Sequence, residues 1–426
     1  MDHFHYKDGH LLAEDVAIAA IADDVGTPFY AYSTATIERH FTVFRDAFAG
    51  RDALVCYAVK ANGNLAVVRT LARLGAGADV VSGGELTRAL EAGVAPEKIV
   101  FSGVGKTRDE MAQALGAGIL QLNVESEPEL EMLSAVAVAL GREAPVAIRI
   151  NPDVDAETHE KIATGKSENK FGIPWTRARD IYDRAAALPG VRVTGMAMHI
   201  GSQITSLDPF RRAYERFRDV VADLRAAGHA IDNLDIGGGL GISYGAGVGD
   251  ADLPLPEAYG AVVRDVFKDT PGRIIAEPGR VIVGNAGVLV TRVLYVKEGE
   301  GRRFIIVDAA MNDLMRPTLY GAYHAVWTEA EAGTDARLGP ADVVGPICET
   351  GDTFAKDRPL PDVAPGDLLV LRTAGAYGAT QSSTYNARAL VPEVLVRGGD
   401  YAEIRRRFDI ADQMALEKFP GWLSNS

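Results

Sequence analysis

Asp235-Ile236-Gly237-Gly238-Gly239-Leu240-Gly241 is a short apolar run that stops in a glycine cluster, and what surrounds it decides the fold. Glycines after a strand bring backbone N–H groups close to a phosphate, so this stretch suits the first turn of a dinucleotide-binding open sheet or a late turn of a barrel. Counting strands separates the two. The apolar runs Ala53–Val59, Ala78–Ser82, Lys98–Ser102, Ile119–Val124, Pro145–Ile150 and Val193–Ile200 precede Asn233–Ile236, and Arg273–Ala276 follows it. Each is bounded by Gly, Pro, Asn or Ser, as strands are. The glycines therefore follow the seventh run of eight, which a first-turn fingerprint does not. Between the runs, Glu85–Glu91, Arg108–Leu115, Glu127–Leu140 and Phe210–Ala227 repeat apolar residues at three- and four-residue spacing, the mark of a helix with one buried face. Eight βα units predict an α/β fold, a (β/α)8 TIM barrel, with a doubly wound open sheet as the main competitor.

Beyond Arg280 the pattern changes. Val288–Lys297, Arg303–Val307, Val343–Cys348, Asp367–Arg372 and Leu390–Val396 read as antiparallel strands without helices between them, an all-β domain of barrel or sandwich type. Phe29–Ser33 is a candidate strand of that second domain. The expected organisation is residues 1–35 joining the β-domain, 36–280 as the barrel and 281–426 as the β-domain, with Tyr401–Lys418 as a terminal helix.

A chain of 426 residues is long enough for two or three domains, and 47% hydrophobic with 24% charged residues is the composition of a globular protein. The net charge of −14 offers no general attraction to nucleic acid or anionic membranes. Two cysteines, Cys56 and Cys348, build neither a disulfide framework nor a cysteine-rich zinc site, and no metal is expected. The start Met1-Asp2-His3-Phe4-His5 lacks the basic and apolar pattern of a leader, and no apolar run reaches membrane-spanning length. The expectation is a cytoplasmic protein.

A barrel carries its chemistry at the C-terminal ends of its strands. Those ends hold Lys60, Asp79 with Ser82-Gly83-Gly84-Glu85, Arg149 with Asn151, His199-Ile200-Gly201-Ser202-Gln203, the glycines after Asp235, and Glu277-Pro278-Gly279-Arg280. Lys60 alone would read as a strand-end lysine reaching for solvent, and His199 alone as a satisfied core histidine. Their company changes the reading. A lysine with a lowered pKa suits attack on an aldehyde, glycines suit a phosphate, and a carboxylate such as Glu277 would keep a pyridine nitrogen protonated. With His199 against the ring face, these groups together describe pyridoxal phosphate.

At these residues the chain resembles the alanine-racemase-like, fold type III pyridoxal-phosphate enzymes, and within them the diaminopimelate decarboxylase family of the ornithine/arginine decarboxylase group. The resemblance runs through Gly26–Tyr32, Tyr57–Asn62, Asp79–Leu86, Lys170-Phe171-Gly172, His199–Gln203, Gly237–Gly241 and Glu277–Arg280. It continues through Met315–Tyr320, Cys348–Asp352 and Gly375–Gly378, in family order. It implies a homodimer with shared active sites that decarboxylates meso-2,6-diaminopimelate to L-lysine. It implies that Lys60 holds pyridoxal 5'-phosphate covalently, with Asp79, His199, Ser202, Gly238, Gly239, Glu277, Pro278, Gly279, Arg280 and Tyr377 around it. Arg280, Arg316, Tyr320, Glu349 and Tyr377 would bind the substrate, and Cys348, reaching in from the second subunit, would donate the proton. Thr380–Ser383 departs from the methionine- and serine-rich loop of the family.

The residue types make chemical sense of this substrate. Its far end carries an amine and a carboxylate, which call for an anion and for arginines, and Glu349, Arg280 and Arg316 supply both signs. A diamine-forming decarboxylase would have no use for two arginines there. Decarboxylases for ornithine, arginine or carboxynorspermidine and a non-catalytic cofactor carrier are the alternatives. The stretch 159–170 has the mixed charge and glycine of a mobile lid, and Cys56, inside a strand, is expected only to pack.

Overall fold

The computed structural model describes residues 2–156, 158, 160–162, 164–165, 170–245, 253–333 and 335–423. Much of the expected 159–170 lid and the glycine loop past Gly245 lie outside the described residues. The chain divides into two compact units, Ile37–Ser243 with Gly247–Gly284, and Met1–Thr36 with Tyr244–Ala246 and Asn285–Ser426.

The first unit is the expected barrel. Its strands are β1 (Ala53–Ala58), β2 (Gly77–Val80), β3 (Ile99–Phe101), β4 (Gln121–Val124), β5 (Ala144–Asn151), β6 (Val191–Ala197), β7 (Asn233–Asp235) and β8 (Arg273–Ala276). Each pairs in parallel with the next. The pairing of Ile274–Ala276 with Ala53–Val55 then closes β8 onto β1, which an open sheet does not do. The helices begin where the sequence places capping residues. Ser82 accepts from the Glu85 N–H to start Gly83–Glu91, Thr107 and Glu110 form a reciprocal capping box for Arg108–Ala117, and Ser126 opens Glu127–Leu140. Asp208–Ala226 buries Phe210, Ala213, Tyr214, Phe217, Val221 and Leu224, one apolar face at helical spacing.

The barrel lumen is more polar than the branched aliphatic layers usual for the fold. Cys56 packs with Val100 and Ile275 in a small apolar cluster. On β4 and β7, by contrast, alternate residues point into the lumen and bond across it. Asn233 donates to Gln121 at 2.8 Å and Asn123 donates to Asp235 at 2.9 Å. Such groups tolerate burial only when satisfied.

The second unit is built on Gly287–Gly299, which pairs with Phe29–Ser33, Arg302–Val307 and Leu368–Leu371, and its core joins Phe29, Ala31, Val288, Val290, Val370, Val394 and Val396. Three expectations change here. The sheet is mixed, because Arg302–Val307 runs parallel to Gly339–Val344 and Glu393–Arg397 runs parallel to Phe29–Ser33. The strand expected over Val343–Cys348 stops at Val344, leaving Cys348 in a loop. The terminal helix expected over Tyr401–Lys418 is instead a strand, Asp400–Arg405, followed by the short helix Ile410–Met414. Gly398, with φ of 56°, and Gly399 turn Glu393–Arg397 back on Asp400–Arg405, and this hairpin overrides the local helical spacing. Among the described residues, no helix is long and apolar enough to cross a membrane.

Candidate active site

β1 ends in a single tight turn, Val59–Ala61, that lifts Lys60 off the strand. Its Nζ meets Asp79 Oδ2, on β2, at 2.9 Å. The lysine side chain is 38% exposed while Asp79 is fully buried, so the amine stands at the lumen's edge over a carboxylate floor. Asp79 Oδ1 is buried with no hydrogen-bond partner among the described residues.

Below this pair lies a buried acid couple. Asp235 at the end of β7 accepts from Asn123 and from the Gly237 N–H, and burial pushes its carboxyl up to about 6. Glu277, just past β8, is driven well above the usual carboxylate range, first by burial and then by Asp235 and Asp79. Two carboxylates hydrogen-bonded in one dry site share a proton rather than ionise together. His199, after β6, is held well below 6.5 by burial and by the charges of Arg149 and Lys60. Its Nδ1 accepts from the Gly238 N–H at 3.2 Å, which leaves the imidazole neutral with its proton on Nε2.

The glycines are required by close approach of strand ends. A Cβ on Gly238 would stand 2.1 Å from the Glu277 carbonyl oxygen, and one on Gly239, at φ of 115°, would stand 2.4 Å from that of Gly201. The main chain ends of β6, β7 and β8 thus converge bare of side chains. Pro278 accepts from the Ala58 N–H at 3.0 Å, tying this loop to β1. Gly279 leads into the turn from which buried Arg280 donates to Ser202 at 3.0 Å. A lysine, a proton-sharing pair of carboxyls, a neutral imidazole and exposed backbone on adjacent strand ends are a donor set that fits pyridoxal phosphate.

The second unit gathers the remaining residues. Arg316 and Tyr320 stand four apart on the short helix Arg316–Tyr320, so they share a face. Arg316 is buried, donates to His324 Nε2 at 2.8 Å and lies 4.6 Å from the Tyr244 ring centre. His324 Nδ1 in turn donates to the Arg372 carbonyl at 2.8 Å, which fixes the tautomer that accepts from Arg316. Tyr377 follows Gly375-Ala376 with φ of 57°. Cys348 and Glu349 occupy the loop after Val344, both exposed, with Tyr385 hydrogen-bonded to Glu349. Asn123, His324 and Tyr244 escaped the sequence reading, and Asp235 entered it only as the residue leading into the glycines. Its signal was its place as the acidic residue of the strand that ends in the glycines.

A profile of the family described as pyridoxal-dependent decarboxylase, pyridoxal binding domain, matches residues 34–284. The chain belongs to this class of decarboxylases, and pyridoxal phosphate is its cofactor. It is 52% identical to a diaminopimelate decarboxylase of Pseudomonas aeruginosa, over 98% of this chain and 99% of that one. With a Zymomonas mobilis diaminopimelate decarboxylase it shares 49% identity over 99% of each. The crystal structure of the M. jannaschii diaminopimelate decarboxylase with L-lysine superimposes with a TM-score of 0.94 at 36% identity, covering 99% of both chains. Within the class, then, the chain belongs to the diaminopimelate decarboxylase family.

Proposed function

We propose that this enzyme decarboxylates meso-2,6-diaminopimelate to L-lysine in the cytoplasm, as a homodimer whose chains share their active sites. The observation that carries the reaction is identity of 52% to a named diaminopimelate decarboxylase along nearly the whole of both chains. The cofactor, when bound, accepts the electron pair left by departing carbon dioxide. The chain's own residues do the rest. Lys60 would hold the cofactor through its amine, and Asp79, 2.9 Å away, would keep that amine at the lumen's edge. Glu277 holds a proton at its carboxyl for the ring nitrogen, and Asp235 sets how readily it gives that proton up. His199, being neutral, can lie against the ring without opposing its charge.

Arg280 and Arg316 are the cations for the substrate's distal carboxylate, and Glu349 is the anion for its distal amine. Cys348 is the acid that returns a proton to the reacting carbon. A proton donor to such a carbon has to be kept from bulk water, yet Cys348 and Glu349 are exposed in the single chain. Cover by a second copy of the chain supplies that shielding, and this supports the shared-site dimer.

The test is a panel of meso-diaminopimelate, its LL and DD isomers, ornithine, arginine and carboxynorspermidine, with carbon dioxide and amine products measured. Lysine from the meso isomer alone is the expected result. Release of carbon dioxide from ornithine or arginine at a comparable rate would overturn the assignment.

A further inference from the structure

We propose that His324 is the positioning residue behind the selection of a distal carboxylate. It holds the Arg316 guanidinium through a neutral acceptor, which fixes the cation's direction without neutralising it. The inference rests on the reading of Arg316 as a cation for the substrate's distal carboxylate and extends it to a side chain outside the substrate set.

The helix Arg316–Tyr320 ends at Gly321, whose φ of 60° gives the left-handed cap that turns the chain back. Three residues later His324, fully buried, meets the start of that same helix. Arg316 Nη1 donates to its Nε2 at 2.8 Å. On the other side of the ring Nδ1 donates to the Arg372 carbonyl at 2.8 Å. That carbonyl is itself well placed, because the Arg372 N–H bonds the Ala325 carbonyl at 2.8 Å and Val326–Thr328 then pairs with Leu368–Leu371. Tyr244 closes the group. Its ring stands edge-on to the imidazole at 5.3 Å, with the Arg316 guanidinium 4.6 Å from its centre.

Both ring nitrogens are therefore committed, one as donor and one as acceptor, and only the neutral imidazole satisfies both. A guanidinium has donors alone, so a protonated ring would face it donor to donor. A carboxylate in place of His324 would hold Arg316 as firmly and would then compete with the substrate's carboxylate for it. An apolar side chain would leave the guanidinium's rotamers to be fixed on binding, at a cost in affinity. The imidazole avoids both. Its benefit reaches only ligands that carry a carboxylate at the far end, since a cation held there repels a bare ammonium. His324 thus separates diaminopimelate from substrates whose far end is an amine alone.

Two substitutions separate holding from packing. His324→Asn keeps a donor near Nδ1 for the Arg372 carbonyl and is too short to reach Arg316, whereas His324→Gln places an acceptor near Nε2. Three ligands are titrated on the cofactor-loaded enzyme. Lysine keeps ammonium and carboxylate at the far end, 6-aminohexanoate keeps only the carboxylate, and cadaverine only the ammonium. In His324→Asn the dissociation constants of lysine and 6-aminohexanoate should rise about tenfold, and that of cadaverine should stay within about twofold. His324→Gln should bring 6-aminohexanoate back to within about threefold of the wild type. With Arg316→Met already in place, no guanidinium is left to hold, and His324→Asn should change 6-aminohexanoate binding by less than about twofold. Equal weakening of all three ligands, an effect of His324→Asn that persists without Arg316, or a Gln variant as weak as the Asn variant would overturn the proposal. Wild-type binding of 6-aminohexanoate by Arg316→Met would overturn the reading of Arg316 and the proposal with it. Loss in Arg316→Met with none in His324→Asn would overturn the role of His324 alone.

Discussion

Cys348 and Asp235 show how one side chain's surroundings set its task. Cys348 lies exposed beside Glu349, a setting that suits a group working against another surface. Cys348→Ala should load the cofactor normally and lower kcat by about a hundredfold or more, the range for losing a general acid; unchanged turnover would remove Cys348 from the reaction. Asp235 works from within. Its carboxyl is raised to about 6 by burial, so the folded chain holds that proton more tightly than the unfolded chain does. The sign follows: in the cofactor-free protein the Asp235 contribution is present at low pH and is lost as pH rises through about 6. Asp235→Asn cannot ionise. Its urea midpoint relative to wild type should climb between pH 5 and pH 8, and a difference independent of pH would refute the shared-proton account. The same substitution should move the pH profile of kcat, since Glu277 loses the neighbour that raises it.

At the scale of elements, eight runs bounded by turn residues foretold eight strands, because parallel barrel strands are buried on both faces and show as unbroken apolar stretches. Helix starts were equally open to reading, since Ser82, Thr107 and Ser126 do their capping within a few residues of sequence. Lys60, Gly238, Glu277 and Arg280 could be placed because a barrel puts strand ends together. Contacts made across the lumen were hidden, for nothing in the order of residues says that Asn123 meets Asp235. The Asp400–Arg405 strand failed for the related reason that pairing with Glu393–Arg397, and not its own propensity, decides it. Another concealed contact gives a prediction of its own. Lys106, after β3, is buried and donates to the carbonyls of Gly103 and Asn123 and to Glu129 at 2.7 Å, locking one βα loop onto the next helix. Lys106→Met would leave Glu129 buried without its cation. Removing one partner of such a pair costs about 3–5 kcal/mol, to be seen in urea unfolding; a loss near zero would mean that Glu129 simply takes up a proton.

The whole molecule raises the question of what covers its exposed chemistry. Leu416, Phe419, Trp422 and Leu423, within one eight-residue stretch of sequence, are 78%, 84%, 86% and 63% exposed, more large apolar side chains than scattered surface residues explain. A net charge of −14 opposes self-association at long range, so any dimer must rest on close apolar packing and local pairs that outweigh it. The shared-site arrangement makes a sharper demand than dimerisation itself. If each cofactor lysine works with the partner subunit's Cys348, then Lys60→Ala and Cys348→Ala chains, each inactive alone, should complement when mixed. In a mixed dimer one site receives both defects and the other receives neither. Random exchange makes half the dimers mixed, so about a quarter of wild-type activity should return. Light scattering checks that the exchanged species holds two chains, and size alone cannot mimic the recovery. Activity that stays at the sum of the two variants, after exchange is verified by tagged chains, would mean that each chain carries a complete site.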